Sequence, residues 1–71
     1  MSGTMLRAIR LYFGITQQEL ADKIGVSKSY ISMMESGKKP VSDKVRINVA
    51  KYYALDDRFF NTMDRAEKLV T

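Results

Sequence analysis

The amino-acid sequence predicts an all-α protein, a compact bundle of four to five short helices. Apolar residues recur at helical spacing along most of the chain, and no segment alternates apolar and polar residues as a half-buried strand does. Residues that start helices, mainly Ser, Thr and Asp, alternate with glycines that end them. One domain is expected over residues 1–71, with a core of about 5–60 and a candidate C-terminal helix or dimerisation tail at 61–71.

The first predicted helix runs from Met5 to Phe13. Leu6, Ile9 and Phe13 lie at i, i+3 and i+7, which places them on one apolar stripe that is expected to face the core. Gly14 follows, and glycine suits the left-handed conformation in which many helices end.

The second predicted helix begins at a capping box formed by Thr16 and Glu19. In this motif the threonine hydroxyl accepts from the glutamate amide, and the glutamate side chain accepts from the threonine amide. Gly25 is expected to end the helix. The apolar residues that it should bury are Leu20, Ala21 and Ile24.

Ser27 is the predicted N-cap of a third helix over residues 28–36. Ile31 and Met34 are expected to face inward, and Gly37 is the predicted C-cap. A basic loop follows, and its proline argues against any continuation of the helix.

Ser42 or Asp43 starts a fourth predicted helix that continues through Tyr53. Asp56 is the predicted cap of a fifth helix. The candidate core residues of the fourth helix are Val45, Val49, Ala50 and Tyr53, and the fifth helix bears Phe59, Phe60 and Met63.

Composition restricts the function classes. The chain contains no cysteine and no histidine, so it lacks the thiolate and imidazole ligands and the commonest general base. Its aspartates form no paired-acid or metal motif, and neither an enzyme nor a cofactor or metal is expected. Twelve Lys and Arg against eight acidic residues give a charge of +4, which favours a polyanionic partner. The short apolar runs exclude a membrane span, and with no signal peptide at the start a cytoplasmic protein is expected.

The stretch ITQQELADKIGVSKSYISMMESGKKP, residues 15–40, resembles the DNA-binding core of the phage repressor and Cro family, also called the Xre or lambda-repressor-like family. The shared features are TQxELA in helix two, GVS at the turn, YIS within helix three and ExGxxxP after it. The resemblance covers roughly residues 6–60. It implies a lambda-repressor-like fold in which helices two and three form a helix-turn-helix, with helix three in the major groove of double-stranded DNA.

By position, the resemblance implies two sets of DNA contacts. The residues expected to face base edges are Lys28, Ser29, Ser32 and Met33. The residues expected to contact phosphates are Arg7, Gln17, Ser27, Tyr30, Lys38 and Lys39. Simpler alternatives remain for both sets. For the first, Lys28, Ser29 and Ser32 form a solvated helix face and Met33 a loose core edge. For the second, the alternatives are a surface glutamine, a solubilising loop and a tyrosine partly buried against helix two.

The resemblance also implies a structural ion pair between Arg10 and Glu35, because an arginine of helix one commonly pairs with the acid that ends helix three. Removal of either partner is expected to damage folding before binding, since it leaves a partly buried charge uncompensated. Two residues depart from the family pattern. Arg46 stands near a usually apolar position, and Ala54 replaces the common turn glycine before the last helix.

Small relatives in this family bind inverted repeats as two-fold dimers, which implies a homodimer on its operator, with Phe59, Phe60 and Met63 as candidate contacts. The expected function is sequence-specific transcription regulation without catalytic activity, by occlusion or by contact with RNA polymerase. The expected setting is a bacterial or phage-encoded protein on the nucleoid. A chain of this length is not expected to hold a separate effector domain. The alternative is a protein-interaction adaptor or antitoxin that uses the same fold.

Overall fold

The computed structural model describes residues 1–59, 61, 62 and 65, and every regular element within them is helical, which confirms the all-α prediction. The helices follow in the order α1 (Gly3–Tyr12), α2 (Gln17–Ile24), α3 (Lys28–Glu35) and α4 (Asp43–Tyr52). A further helical segment begins at residues 57–59. α3 packs against both α1 and α2, and α4 packs against α2.

The hydrophobic core lies where these helices meet. The apolar residues buried in the described part of the chain are Met5, Leu6, Ile9, Leu20, Ala21, Ile24, Ile31, Met34, Val45 and Val49. Full burial of one larger side chain contributes about 1.5–3 kcal/mol relative to an exposed position. Every predicted inward residue of α2 and α3 is in this set, whereas Ala50 and Tyr53 are only half-buried.

α1 begins two residues earlier than predicted because Ser2 caps it, with its Oγ accepting from the Met5 amide at 2.9 Å. Gly3 lies against the end of α3, where a Cβ atom would overlap the carbonyl oxygen of Met34. Only glycine permits so close an approach of the two backbones. The first turn of α1 is thereby held against α3.

The prediction that Phe13 joins the core stripe of α1 is wrong. α1 ends at Tyr12, and Phe13 is 37% exposed. Its ring instead packs beside Tyr53 and Phe59, with centroids 4.8 and 6.0 Å away. Met5, near the start of α1, is buried instead. The helix begins before the first residue of the predicted apolar stripe, so Met5 also faces the core.

The helix starts agree with the predicted caps. Thr16 and Glu19 form both hydrogen bonds of the capping box, each at 3.0 Å. Ser27, Ser42 and Asp56 also accept from the amide three residues ahead, at 3.1, 3.3 and 2.8 Å. The ends of α1, α3 and α4 each come one residue earlier than predicted, with Phe13, Ser36 and Tyr53 as the C-caps. In α3 the predicted cap glycine follows Ser36 in the left-handed conformation.

α4 and the turn that follows it contain the two departures from the family pattern. Ala54 has a φ of 50°, so the turn keeps the left-handed conformation although glycine is missing. The Leu55 amide donates to the Ala50 carbonyl at 3.0 Å across this turn. Arg46 is exposed, with its Nε 3.8 Å from Asp43, so an arginine is tolerated there because the position faces solvent.

Among the predicted dimer contacts, Phe59 alone lies within the described residues, and Phe60 and Met63 lie outside them. Phe59 is half-buried and packs against the core. Its ring centroid lies 5.3 Å from that of Tyr12, which is 66% exposed. An exposed aromatic ring at the end of α1 therefore lies beside Phe59. Most of the predicted tail over 61–71 also lies outside the described residues.

Candidate nucleic-acid interface

A three-residue turn joins α2 to α3, and its geometry depends on Gly25. Gly25 has a φ of 75°, a conformation that costs other residues roughly 1–2 kcal/mol. The amides of Gly25 and Val26 both donate to the carbonyl of Ala21, at 2.9 and 3.0 Å. Ala21 is itself fully buried. These contacts fix the direction in which α3 leaves α2.

α3 has one buried face and one solvent-exposed face. Ile31 and Met34 are completely buried, which anchors the helix from below. Lys28, Ser29 and Ser32 are exposed on the other side, and Met33 is half-buried at the edge. The four residues predicted to face base edges therefore share the accessible side of one helix. A major groove is wide enough to admit such a helix.

The first turns of α2 and α3 border the same open cleft. Gln17 and Gln18 line it from α2, Lys28 lines it from α3, and Leu11 lines it from the end of α1. Backbone amides without an intrahelical partner occur at each helix start, and together with the helix dipole they favour an anionic ligand. The predicted phosphate contact at Gln17 and the predicted base contact at Lys28 thus belong to one surface.

Arg10 and Glu35 form a bidentate ion pair at the base of this surface. The Arg10 Nε and Nη2 atoms donate to the two carboxylate oxygens of Glu35 at 2.8 and 3.0 Å. Nη1 donates to the carbonyl of Ile15 at 3.0 Å, which ties the α1–α2 connection to the same network. The hydrogen bond to Glu35 raises the pKa of Arg10 above its usual value, against the opposing effect of burial. The side chains are 12% and 5% exposed, so the pair is largely removed from solvent.

Gln17 extends this network to the surface, a contact that the sequence did not predict. Its Nε2 donates to the Glu35 carboxylate at 3.3 Å, and the residue is half-buried. An amide nitrogen carries two hydrogens, so one remains for a ligand while the other holds the side chain in place. The contact joins residues 18 positions apart in sequence.

A polar cleft of about 300 Å³ lies above the ion pair and is bordered by Arg7, Gln17, Ser32 and Ser36. Three of these residues were predicted DNA contacts, and the structure places them together. Ser36 was not predicted, although its i+4 spacing from Ser32 is the signal that could have indicated a shared face. Its hydroxyl donates to the carbonyl of Met33 at 3.2 Å.

The remaining predicted phosphate contacts lie around the start and the end of α3. Ser27 is exposed while its hydroxyl caps the helix. Lys38 and Lys39 are exposed in the loop after α3. The Lys39 Nζ lies 5.9 Å from the ring centroid of Tyr30, which is half-buried against the core. The structure thus brings Tyr30 and Lys39 together.

Within the described residues, no group of three or more acidic, histidine or cysteine side chains is arranged to hold a metal ion. The same part of the chain contains no helix with the length and apolar character required to cross a membrane.

A helix-turn-helix family model matches residues 6–60, most of the chain. The chain belongs to the phage repressor and Cro (Xre-like) helix-turn-helix family. The predicted family is thus confirmed. In this family's terms, α2 and α3 are the helix-turn-helix.

Several transcription regulators are similar to this helix-turn-helix chain. An uncharacterized HTH-type transcriptional regulator of Archaeoglobus fulgidus is 36% identical over 50 residues, 70% of this chain and 71% of that protein. The propionyl-CoA carboxylase regulator of Cereibacter sphaeroides is 34% identical over 99% of this chain. The regulator PrpR of Mycobacterium tuberculosis is 30% identical over 86%. The chain spans only 15% and 13% of the lengths of these last two proteins. No solved structure gives a significant match.

Proposed function

We propose that this protein is a sequence-specific reader of double-stranded DNA that inserts α3 into the major groove. The observation that carries the proposal is the two-sided character of α3. Its completely buried residues Ile31 and Met34 hold the helix, while the opposite side presents Lys28, Ser29 and Ser32 to solvent. Because Gly25 fixes the turn before it, the exposed side keeps one orientation relative to α2.

The proposed base contacts follow from the chemistry of each exposed side chain. Lys28 donates to the O6 and N7 atoms of guanine, the acceptors that distinguish this base in the major groove. Ser29 and Ser32 donate or accept at either purine or pyrimidine edges. Met33, at the half-buried edge of α3, supplies an apolar contact for a thymine methyl group.

The proposed phosphate contacts surround these base contacts. Gln17 offers its remaining amide hydrogen beside the start of α2, where the helix dipole also favours an anion. Arg7 and Ser36 border the same polar cleft and add a positive charge and a hydroxyl. Ser27 and the loop lysines extend the contacts along the DNA backbone. Such contacts set the position of α3 in the groove, whereas its base contacts set the sequence preference.

The chain is further proposed to bind an inverted repeat as a homodimer. Phe59, Phe60 and Met63 remain the candidate interface residues, and the exposed ring of Tyr12 beside Phe59 is consistent with an apolar contact there. A dimer of this kind would control transcription by occluding a promoter or by contacting RNA polymerase. The names of the similar regulators support a role in transcription, and no catalytic activity is proposed.

The test is selection of a randomised duplex library by the purified protein near physiological salt, with competitor DNA. The expected result is an enriched inverted repeat whose half-sites are separated by about one helical turn. Lys28→Ala and Ser29→Ala proteins should then select repeats with one or two relaxed positions. If the wild-type protein enriches no sequence and binds random duplexes only in a salt-dependent way, sequence-specific reading is excluded.

A further inference from the structure

The basic loop after α3 folds back onto the helix rather than extending into solvent. Gly37 reverses the chain with a φ of 83°. The amide of Lys39 then donates to the carbonyl of Met33 at 3.2 Å, and the Ser36 hydroxyl donates to the same carbonyl, also at 3.2 Å. The backbone at Lys39 is therefore attached to the last turn of α3, at a fixed distance from the proposed base contacts.

The side chain of Lys39 is directed by an aromatic ring. Its Nζ lies 5.9 Å from the ring centroid of Tyr30, within the range of a cation–π contact. The ring is a rigid support because Tyr30 is half-buried against the core and its amide is held by the cap of Ser27 at 3.1 Å. A free lysine side chain loses rotamer entropy when it is ordered, so prior ordering favours binding.

We propose that Tyr30 is a positioning residue for Lys39, and that the two residues make one DNA phosphate contact together. The ring holds the ammonium group beside α3, so that Lys39 meets the phosphate already ordered. Lys38, for which no hydrogen bond, ion pair or ring contact is found within the described residues, acts independently. The inference rests on the proposed DNA-reading function, and it assigns the ring of Tyr30, rather than its hydroxyl, as the functional part.

The first experiment uses the DNA-free protein, so that its result does not depend on the proposed function. Ring currents should shift the Lys39 Hε protons upfield in the NMR spectrum of the wild type. Tyr30→Phe should keep this shift because the ring remains, and Tyr30→Leu should abolish it while preserving an apolar side chain against the core. Thermal unfolding of each variant checks that the fold persists. Unchanged Lys39 resonances in a folded Tyr30→Leu protein would overturn the proposal.

The second experiment measures affinity for the selected operator as a function of salt. Lys39→Ala should reduce the slope of log K against log salt by about 0.9, the value of one phosphate contact. Tyr30→Leu should weaken binding by about two- to fivefold, the affinity equivalent of an exposed cation–π contact. It should have no further effect in a Lys39→Ala background, whereas its effect should persist in the matched Lys38→Ala background.

Two results would contradict the shared contact. Additive effects of Tyr30→Leu and Lys39→Ala would show that the residues act separately. A Tyr30→Phe loss equal to that of Tyr30→Leu would assign the contact to the hydroxyl. Failure of the proposed function is recognised differently: the wild type would select no operator, and the DNA role of the pair would fall with it even though the NMR shift was present.

Discussion

Two regions of the molecule differ in how they form their left-handed turns and in how much apolar surface they expose. They are the helix-turn-helix, residues 16–37, and the C-terminal region, residues 43–59. The turns at Gly25 and Gly37 use glycine for their left-handed residues, whereas the turn after α4 places Ala54 in that conformation. The large exposed apolar residues all lie outside 16–37, and two of them, Ile47 and Tyr52, are in α4. The first region thus has glycine at its left-handed residues and no large exposed apolar side chain, while the second keeps local strain and apolar surface.

Different residues of α3 stabilise the fold and are proposed to bind DNA. The side chains of α3 that are proposed to contact bases contribute little to the core, because the core uses the opposite side of that helix. The Arg10–Glu35 pair forms a third group of residues and connects α1 to α3. Substitutions of the proposed base contacts, of the core residues and of the ion pair should therefore reduce stability and DNA binding to different extents.

The largest expected effect follows removal of the buried carboxylate. Glu35→Ala leaves the Arg10 guanidinium, whose side chain is only 12% exposed, without its anionic partner and also releases Gln17. A loss of about 3–5 kcal/mol in the free energy of unfolding is expected, enough to unfold much of a small domain. Urea denaturation followed by circular dichroism measures it.

The matched control is the double variant Arg10→Met/Glu35→Met, which removes both charges and preserves apolar volume. Because replacing both partners avoids an uncompensated charge, this variant should regain most of the stability lost by Glu35→Ala. If Glu35→Ala unfolds at the wild-type urea concentration, the ion pair is not the structural link between α1 and α3.

A smaller effect, on DNA recognition alone, is expected from Lys28→Ala. This exposed residue should be removable without a change in the unfolding midpoint, and the variant should bind the selected operator about 1–3 kcal/mol more weakly. Discrimination should relax at one or two base pairs, as measured by competition with operators mutated at single positions. The comparison variant is Gln17→Ala, which should weaken operator and random DNA more nearly alike. An equal loss on all sequences for Lys28→Ala would remove its base-reading role.

Local signals in the sequence predicted much of this fold because they act over a few residues. The capping box at Thr16, the cap at Ser27 and the glycine turn at Gly25 define helix ends independently of the rest of the chain. The family resemblance then supplied the arrangement of the helices and the Arg10–Glu35 pair, which no local signal contains. Phe13 was misplaced because periodicity predicts a stripe but not the residue at which the helix ends.

The contacts that refine the candidate site were beyond local signals because they depend on tertiary packing. Gln17 meets Glu35 through the packing of α2 on α3, and Gly3 is required by a carbonyl more than 30 residues away. The Lys39–Tyr30 contact depends on how the loop returns over α3. Each of these contacts joins residues that lie in different structural elements.

The glycine turn of the helix-turn-helix provides the next test. Gly25→Ala should destabilise the protein by about 1–2 kcal/mol, the cost of a left-handed conformation for a residue with a Cβ atom. No atom lies within 4 Å of an ideal Cβ at this position, so the cost is conformational rather than steric. Thermal and urea unfolding measure it, and a neutral result would mean that the turn can change its backbone conformation without loss.

The smallest expected effect has the opposite sign. Ala54→Gly should relieve the strain of the left-handed alanine, whose φ is 50°, but it also increases the freedom of the unfolded chain. The difference between these terms predicts a gain of about 0.5–1 kcal/mol in the free energy of unfolding. Ala50→Gly is the matched control: it makes the same chemical change within α4, where glycine should cost about 1 kcal/mol. If both variants are destabilised alike, Ala54 is not strained, and the contrast between the two regions reduces to their exposed apolar surface.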